Sequence, residues 1–325
     1  MQSLLRTLAV SAVSLAALID SPAALAQEYP TKSVRVIVAN SVGSLADIVA
    51  RVIFNKAGEL LGQPFVIDNR PGAGGSIAGE AGAKAAADGY TLLFASDSVM
   101  AIAPHVYPSL PYDPLRDFAA VSMVTKVPAA FVAHPSLGAK SLEEFLQLAR
   151  AQPGKINYGS GGVGHATHMG MEMLLIKAGV QLVHVPYKGT GPLTQALLTG
   201  EVGAANIGLG LVLNHVQDGR LVGLAISGPR TPGTLPGVPD VGTIMPGSEF
   251  VSWQALFAPA RTPRAAIDKL NAVLLRVVAA PEVKTRMQET GMATVTSTPA
   301  EMEKTVADDL AKYRDLVRRL GLKPN

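Results

Sequence analysis

The sequence contains no cysteine, and that absence removes disulfides, thiolate nucleophiles, zinc–thiolate and iron–sulfur centres, and lipid attachment at an N-terminal cysteine. Aromatic residues are scarce, at 5%. Together with 32 glycines and 23 prolines this argues for many short elements joined by tight turns, and against a coiled coil or a single helical bundle. Charge is low as well: 28 basic against 25 acidic residues leave a net +3, too little for the electrostatic footprint of a nucleic-acid-binding protein. What is abundant is apolar. Hydrophobic residues are 48% of a 325-residue chain, enough for a sizeable core and, at about 150 residues per domain, for two domains.

Residues 1–26 read as an export signal and are set aside from fold reasoning. Arg6 supplies a basic start, Leu8 to Ile19 an apolar run, and Ala24-Leu25-Ala26 the small-x-small pattern after which a signal peptidase cuts. The apolar run is shorter than the roughly 20 residues a bilayer-spanning helix needs, and no later stretch is long and apolar enough to span. The expectation is a soluble, non-membrane-spanning protein with Gln27 as its mature N-terminus, periplasmic in a Gram-negative cell.

From there strand-like apolar runs alternate with helix-like segments, the pattern of βαβ units and a mostly parallel sheet. Strands are expected at Val34 to Ala39, Phe65 to Asp68, Tyr90 to Ala95 and Val121 to Thr125. A second series follows at Phe131 to Ala133, Ile156 to Gly159, Leu182 to Val185, Val202 to Ile207 and Leu221 to Ile226. Ser141 to Glu144 opens a helix with a capping box. Residues 228–250 break the rhythm with Pro229, Pro232, Pro236, Pro239 and Pro246, and the pattern after them is helical, with Pro263 and then Thr298-Pro299-Ala300-Glu301 at helix starts. These boundaries divide the chain into a first lobe of residues 27–127 plus 228–325 and a second of 128–227, an α/β protein crossed twice by the chain.

Residues with chemical potential are few. His165 and His168 stand three apart, but no Asp, Glu or Cys beside them completes a metal site, so no metal is expected. No G-x-S-x-G elbow is present, and neither Gly162-Val163-Gly164 nor Gly72-Ala73-Gly74 completes a dinucleotide fingerprint. What the loops offer is helix N-termini preceded by small residues: Ser41-Val42-Gly43-Ser44, Gly161 to His165, and Lys188-Gly189-Thr190-Gly191-Pro192. Unpaired N–H groups and the positive end of the helix dipole make such places anion sites without a charged side chain. Ser44 and Asp47 have the spacing of a capping pair, which by itself accounts for both.

Several stretches resemble the tripartite tricarboxylate transporter substrate-binding family, also called the Bug family: Asp68 to Gly75, Ala87 to Leu93, Leu110-Pro111-Tyr112-Asp113-Pro114, Val183 to Gly189 and Phe257-Ala258-Pro259-Ala260. The resemblance covers nearly all of the chain beyond residue 26. It implies a two-lobed periplasmic-binding-protein-like fold of type II, closing on a small carboxylate, with no catalysis and no cofactor. Carried over by position, the ligand-binding set is Asn40, Ser41, Gly43, Ser44 and Asp47 in a first loop, Ser160, Gly164, His165, Ala166, Thr167 and His168 in a second, then Tyr187, with Ser96 and Asn206 completing it. The chain departs from the family's pattern at Asn40-Ser41 in place of an aromatic-proline pair, at Ser44 in place of glycine, at His165 in place of threonine or serine, and near Ile207, where Asn206 is the nearest polar group to a missing aspartate; loss of the aromatic wall implies a more polar pocket, or one shaped differently from the common dicarboxylate binder. The partners implied are a membrane permease or a sensor kinase, with the receptor itself a monomer. An enzyme on the same scaffold, a hydrolase or lyase, is the alternative, and an interaction protein without a solute is a third class. His165 is expected to be neutral when the site is empty, because a helix N-terminus disfavours imidazolium, and to take up a proton when a carboxylate arrives.

Overall fold

Val34, Val36 and Val38 are fully buried while Arg35 between them is exposed, and this β-branched run forms β1 (Val34–Val38) inside a mixed sheet. The computed structural model describes residues 29–229 and 235–322; the export signal read at 1–26, Gln27 and Pro232 lie outside them. After β1 come α1 (Leu45–Leu61), β2 (Phe65–Asn69), α2 (Ser76–Ala83) and β3 (Thr91–Ser96). A turn of π-helix at Ser98–Ile102 then runs into α3 (Ala103–Val106), followed by β4 (Phe118–Val127). Pro128 alone separates β4 from β5 (Ala129–Ala133), the first strand of a second sheet. That sheet is built with α4 (Leu142–Ala151), β6 (Asn157–Ser160), α5 (Ala166–Ala178), β7 (Val183–Pro186), α6 (Thr190–Thr199), β8 (Ala204–Gly208), α7 (Leu209–Gln217), β9 (Val222–Ser227) and α8 (Val241–Ile244). The chain returns through β10 (Ser252–Pro259) and ends with α9 (Arg264–Ala279), α10 (Pro281–Glu289), β11 (Ala293–Thr294) and α11 (Pro299–Leu320).

The six-stranded sheet runs β11-β4-β10-β3-β1-β2 and the five-stranded sheet β7-β6-β8-β5-β9. Both are mixed rather than mostly parallel. β1, β2 and β3 are parallel, as are β6, β7 and β8, but β10 runs antiparallel to β3 and β4, and β5 antiparallel to β8 and β9. β10 replaces the expectation of helix after residue 250. Its Trp253–Pro259 run is buried throughout, and a buried run without alternation carries no period that separates strand from helix.

Each sheet has apolar clusters on both faces. In the first, Val49, Ile53 and Phe54 of α1 meet Leu270, Leu274 and Val277 of α9 on one side, and Met302 and Val306 of α11 meet Trp253 and Phe257 on the other. In the second, Leu142, Phe145 and Leu174 cover one face and Leu193, Leu197 and Val212 the other. Burying each such side chain contributes about 1.5–3 kcal/mol, so these layers fix the two sheets before any loop is considered. α11 is started by a complete capping box, Thr298 Oγ1 accepting from the Glu301 amide while the Glu301 carboxylate accepts from the Thr298 amide.

Residues 235–245 pack on the second sheet. Leu235 and Val241 are buried in its clusters, and the Ile226 amide donates to Pro239 O at 2.9 Å. Phe250 and Val251 then lead into β10 of the first sheet. There the two crossings lie side by side, with Ser252 in register with Val127, Ala129 in register with Ser227, and the Phe250 amide donating to Ser227 Oγ at 2.7 Å. A fifth cluster spans the lobes: Ala101, Ile102, Val106, Tyr313 and Leu316 from the first, Ala166 and Met169 from the second.

Candidate functional site

Between the two sheets lies a cavity of about 110 Å³ into which the starts of several helices open. Leu45 and Ala46 line it from the first turn of α1, Ala166 and Thr167 from that of α5, Thr190 from that of α6, and Gly208 from the cap of α7. The first i→i−4 bond of α1 is Ile48 N–H to Ser44 O, so the Leu45 and Ala46 amides have no acceptor within their helix. The Ala166 amide is engaged across the cleft by Ser98 Oγ of the first lobe at 3.2 Å. Among the described residues, no lysine, arginine, aspartate or glutamate lines the cavity. Its polar surface is formed by Asn40, Ser44, Ser96, Ser98, His165, Thr167, Thr190, Asn206, Ser252 and Gln254, and Phe250 supplies an aromatic wall.

The structure thus brings Asn40, Ser44, Ser96, His165, Ala166, Thr167 and Asn206 of the expected set to the cavity, and leaves the rest away from its lining. Ser41 and Gly43 are exposed and shape the turn, the Ser44 amide donating to Ser41 O at 3.2 Å. Asp47 does not line the cavity: it is buried beneath that turn. Its amide donates to Ser44 Oγ at 3.2 Å, its Oδ2 accepts from the Gly43 amide at 2.9 Å, and Arg51 binds it through Nε at 3.1 Å. Burial opposes its charge, but Arg51 and the Gly43 amide outweigh that and hold its carboxyl below the usual range. Asp47 and Ser44 therefore fix the loop that the cavity uses.

Four more expected residues build the scaffold behind α5 rather than the lining. Gly164 donates its amide to His168 Nδ1 at 3.1 Å. His168 is buried and stacks on His184, ring centroids 3.9 Å apart and nearly parallel. Its pKa is pushed down to about 3 by burial and by the neighbouring histidines. Ser160, fully buried, lies 2.6 Å from His184 Nε2 and accepts from the Gly162 amide, so it stiffens the loop from within. Tyr187 packs with the cluster around Leu193 and donates to Glu201 Oε1 at 2.8 Å.

His165 caps α5. Its Nδ1 accepts from the Thr167 amide at 3.2 Å and lies 3.0 Å from Thr167 Oγ1, which itself accepts from the Gly161 amide at 2.8 Å. Thr167 therefore donates its hydroxyl proton to Nδ1, and the ring proton is assigned to Nε2. Burial lowers the His165 pKa to about 4. The expected proton uptake on ligand binding does not follow, because a protonated Nδ1 would face two donors. His165 serves as a neutral cap that keeps one N–H free.

Two elements that sequence reasoning missed complete the wall. Ser98 and the buried Asp97 start the π-helical turn, and Asp97 Oδ1 accepts from the Ser98 amide at 2.9 Å and from Ser252 Oγ at 2.6 Å. Burial pushes the Asp97 carboxyl up to about 7, with Ser252 opposing and Asp309 adding to the rise. Ser252 and Gln254 come from β10. Gly170 of α5 makes room for Asn206: a Cβ there would stand 2.4 Å from Asn206 Oδ1.

Comparison with known proteins agrees with this architecture. Residues 49–322 match the family model described as tripartite tricarboxylate transporter family receptor. The chain is 34% identical over 321 residues to the protein BugT of Bordetella pertussis, covering 98% of each. Among solved structures, a periplasmic transporter superposes with a TM-score of 0.83 at 33% identity, covering 91% of this chain and 99% of the other. An R. palustris protein with adipate gives 0.84 at 29%, covering 91% and 100%. MatC from Rhodopseudomonas palustris with bound malate gives 0.80 at 29%, covering 89% and 100%.

Proposed function

Because the chain belongs to the tripartite tricarboxylate transporter receptor family, we propose that its interlobe cavity holds a small organic carboxylate through helix-start amides, Ser44, Thr190, Asn206 and the Nε2–H of His165. The chain is a periplasmic-binding-protein-like solute receptor, not an enzyme. The observation that carries the ligand class is a cavity lined by helix N-termini and neutral polar groups, without one charged side chain among the described residues. Partial positive charge at the N-terminal ends of α1, α5 and α6 favours an anion there, and water-poor surroundings strengthen it. The adipate and malate of the solved relatives are small carboxylates of the same class.

The side-by-side crossings at Val127-Pro128-Ala129 and Ser227/Phe250–Ser252 serve as the hinge, with residues 29–127 and 252–322 moving against 129–229 and 235–245. Export through the signal ending at Ala26 places the receptor in the periplasm as a monomer. There it hands its ligand to a membrane permease or to a sensor kinase. Among the described residues no helix is long and apolar enough to cross a membrane.

A thermal-shift screen tests the reading. A ligand that binds only the folded chain adds about 2.7 kcal/mol of stability at 100-fold excess over Kd. A few organic acids should raise the melting temperature clearly while sugars leave it unchanged. A shift by sugars with none by any acid would overturn the carboxylate reading.

A further inference from the structure

Part of the wall that the first lobe turns to the cavity is tied to one buried carboxylate. Ser98 and Ser252 both line the cavity, and both are hydrogen-bonded to Asp97 Oδ1, the Ser98 amide at 2.9 Å and the Ser252 hydroxyl at 2.6 Å. Ser98 Oγ in turn accepts from the Ala166 amide of the second lobe at 3.2 Å. Asp97 itself is 0% exposed. Its other oxygen, Oδ2, is buried without a well-aligned hydrogen bond, and the Tyr313 hydroxyl is a neighbouring polar group. A buried carboxylate with one oxygen bare and no cation in contact is costly as an anion, so Oδ2 is where a proton is held.

The groups that face Asp97 act on that proton with different signs. From α11, Asp309 repels a charge on Asp97 while its own carboxylate accepts from Trp253 Nε1 at 2.7 Å, and Lys312 attracts it. Lys312 makes no ion pair among the described residues: its Nζ stands over the rings of Phe250 and Tyr313, 5.8 and 5.1 Å from their centroids. Tyr313 keeps its phenolic proton, held on by burial first and then by Asp97 and Asp309. From β10, Ser252 brings a hydroxyl and no charge. Across the cavity α5 brings His165, which is neutral above about pH 4. Burial outweighs the rest and carries the Asp97 carboxyl up to about 7.

On the reading that the cavity binds a carboxylate, we propose that the receptor takes up a proton together with its ligand and holds that proton on Asp97. A ligand in a cavity of about 110 Å³ stands one layer of side chains, Ser98 and Ser252, away from the Asp97 carboxyl. Two negative charges so placed, in surroundings poor in water, disfavour each other. The ligand therefore tightens the hold of Asp97 on its proton, and by reciprocity the protonated receptor binds the ligand better by the same factor. Linkage fixes the sign. Affinity is greatest below the pKa of the empty site, falls by up to about tenfold per pH unit between the empty and the liganded pKa, and levels off above the latter.

Isothermal titration of the exported chain with succinate, malate, glutarate and adipate tests this. Run in two buffers of different ionisation enthalpy, the difference in heat gives the protons taken up per ligand bound. With the acid that binds best, affinity should fall at least about fivefold from pH 6.5 to 8.5, and proton uptake should be greater at pH 7.5 than at pH 6.5. Asp97→Asn should show neither the fall nor the uptake. Asp309→Asn, which removes a charge that raises the Asp97 carboxyl, should move the fall to lower pH without abolishing it. An acid that binds the wild type with constant affinity and no uptake would overturn the proposal and leave the carboxylate reading standing, as would uptake that a folded Asp97→Asn retains. Binding of no acid would overturn both. Were Asp97→Asn not to fold, the wild-type uptake and its shift in Asp309→Asn decide the matter.

Discussion

Asp97 offers a quantitative test of the electrostatics under the site. It is fully buried, and its carboxyl is raised from the ordinary 3.8 to about 7, chiefly by burial. Asp309 of α11 raises it further, while Lys312, Ser252 and the Ser98 amide pull it back. A folded-state pKa above the unfolded one means that the native state holds its proton more tightly. The associated stability is fully present below about pH 4, falls as pH rises, and is gone above about pH 7. The gap between 3.8 and about 7 corresponds to about 4 kcal/mol across that window. Asp97→Asn removes the titration and keeps the geometry, since an amide oxygen can accept from both Ser252 and Ser98. Urea unfolding of both proteins at pH 4.5, 6, 7 and 8.5 isolates the effect, because every other group titrates alike in the two. The variant should gain on the wild type by up to about 4 kcal/mol between acid and pH 8.5, and most of the gain should come below pH 7. A constant offset between parallel curves, whatever its size, would refute the reasoning.

Three further outcomes follow from contacts at the site. His165 is neutral above about pH 4, so ligand affinity between pH 5.5 and 8.5 should show no titration that His165→Ala abolishes, while that substitution should cost about 1 kcal/mol of stability through the lost cap, measured by urea unfolding. Gly170→Ala should displace Asn206 and weaken ligand binding about tenfold or more in calorimetry, at about 1–3 kcal/mol of stability. Gly210→Ala would place a Cβ 1.9 Å from Thr290 O in the other lobe, so the lobes should part, seen as a larger radius of gyration by X-ray scattering and weaker binding without any contact to ligand.

The residues themselves explain how much of this was legible in the sequence. Val34–Val38, Thr91–Ser96 and the runs of the second sheet are flanked by turn glycines and prolines and read directly as strands, and Thr298 and Glu301 announce their helix by spacing alone. β10 was invisible because its buried side chains show no alternation, and with it went Ser252 and Gln254, two residues of the cavity wall. Side-chain direction was not legible either. Asp47, Ser160, His168 and Tyr187 stand in the right loops, but a loop's sequence does not say which side chains face inward, and these four turn to Arg51, His184, Gly164 and Glu201. Asp97 had no local signal either, since its role depends on a partner 155 residues away in sequence. The packing of Leu235 and Val241 on the second sheet was not legible either, since they stand in a proline-rich segment without periodicity.

The account's central claim is that helix-start amides and neutral donors, not charged side chains, hold a carboxylate in the interlobe cavity. A crystal structure of the protein with the acid that binds best tests it most directly. The account predicts carboxylate oxygens within hydrogen-bond distance of the Leu45 or Ala46 amide on one lobe and of the α6 start or the Nε2–H of His165 on the other, with no lysine or arginine in contact. A carboxylate paired with a cationic side chain, or an acid bound outside the cavity, would contradict it.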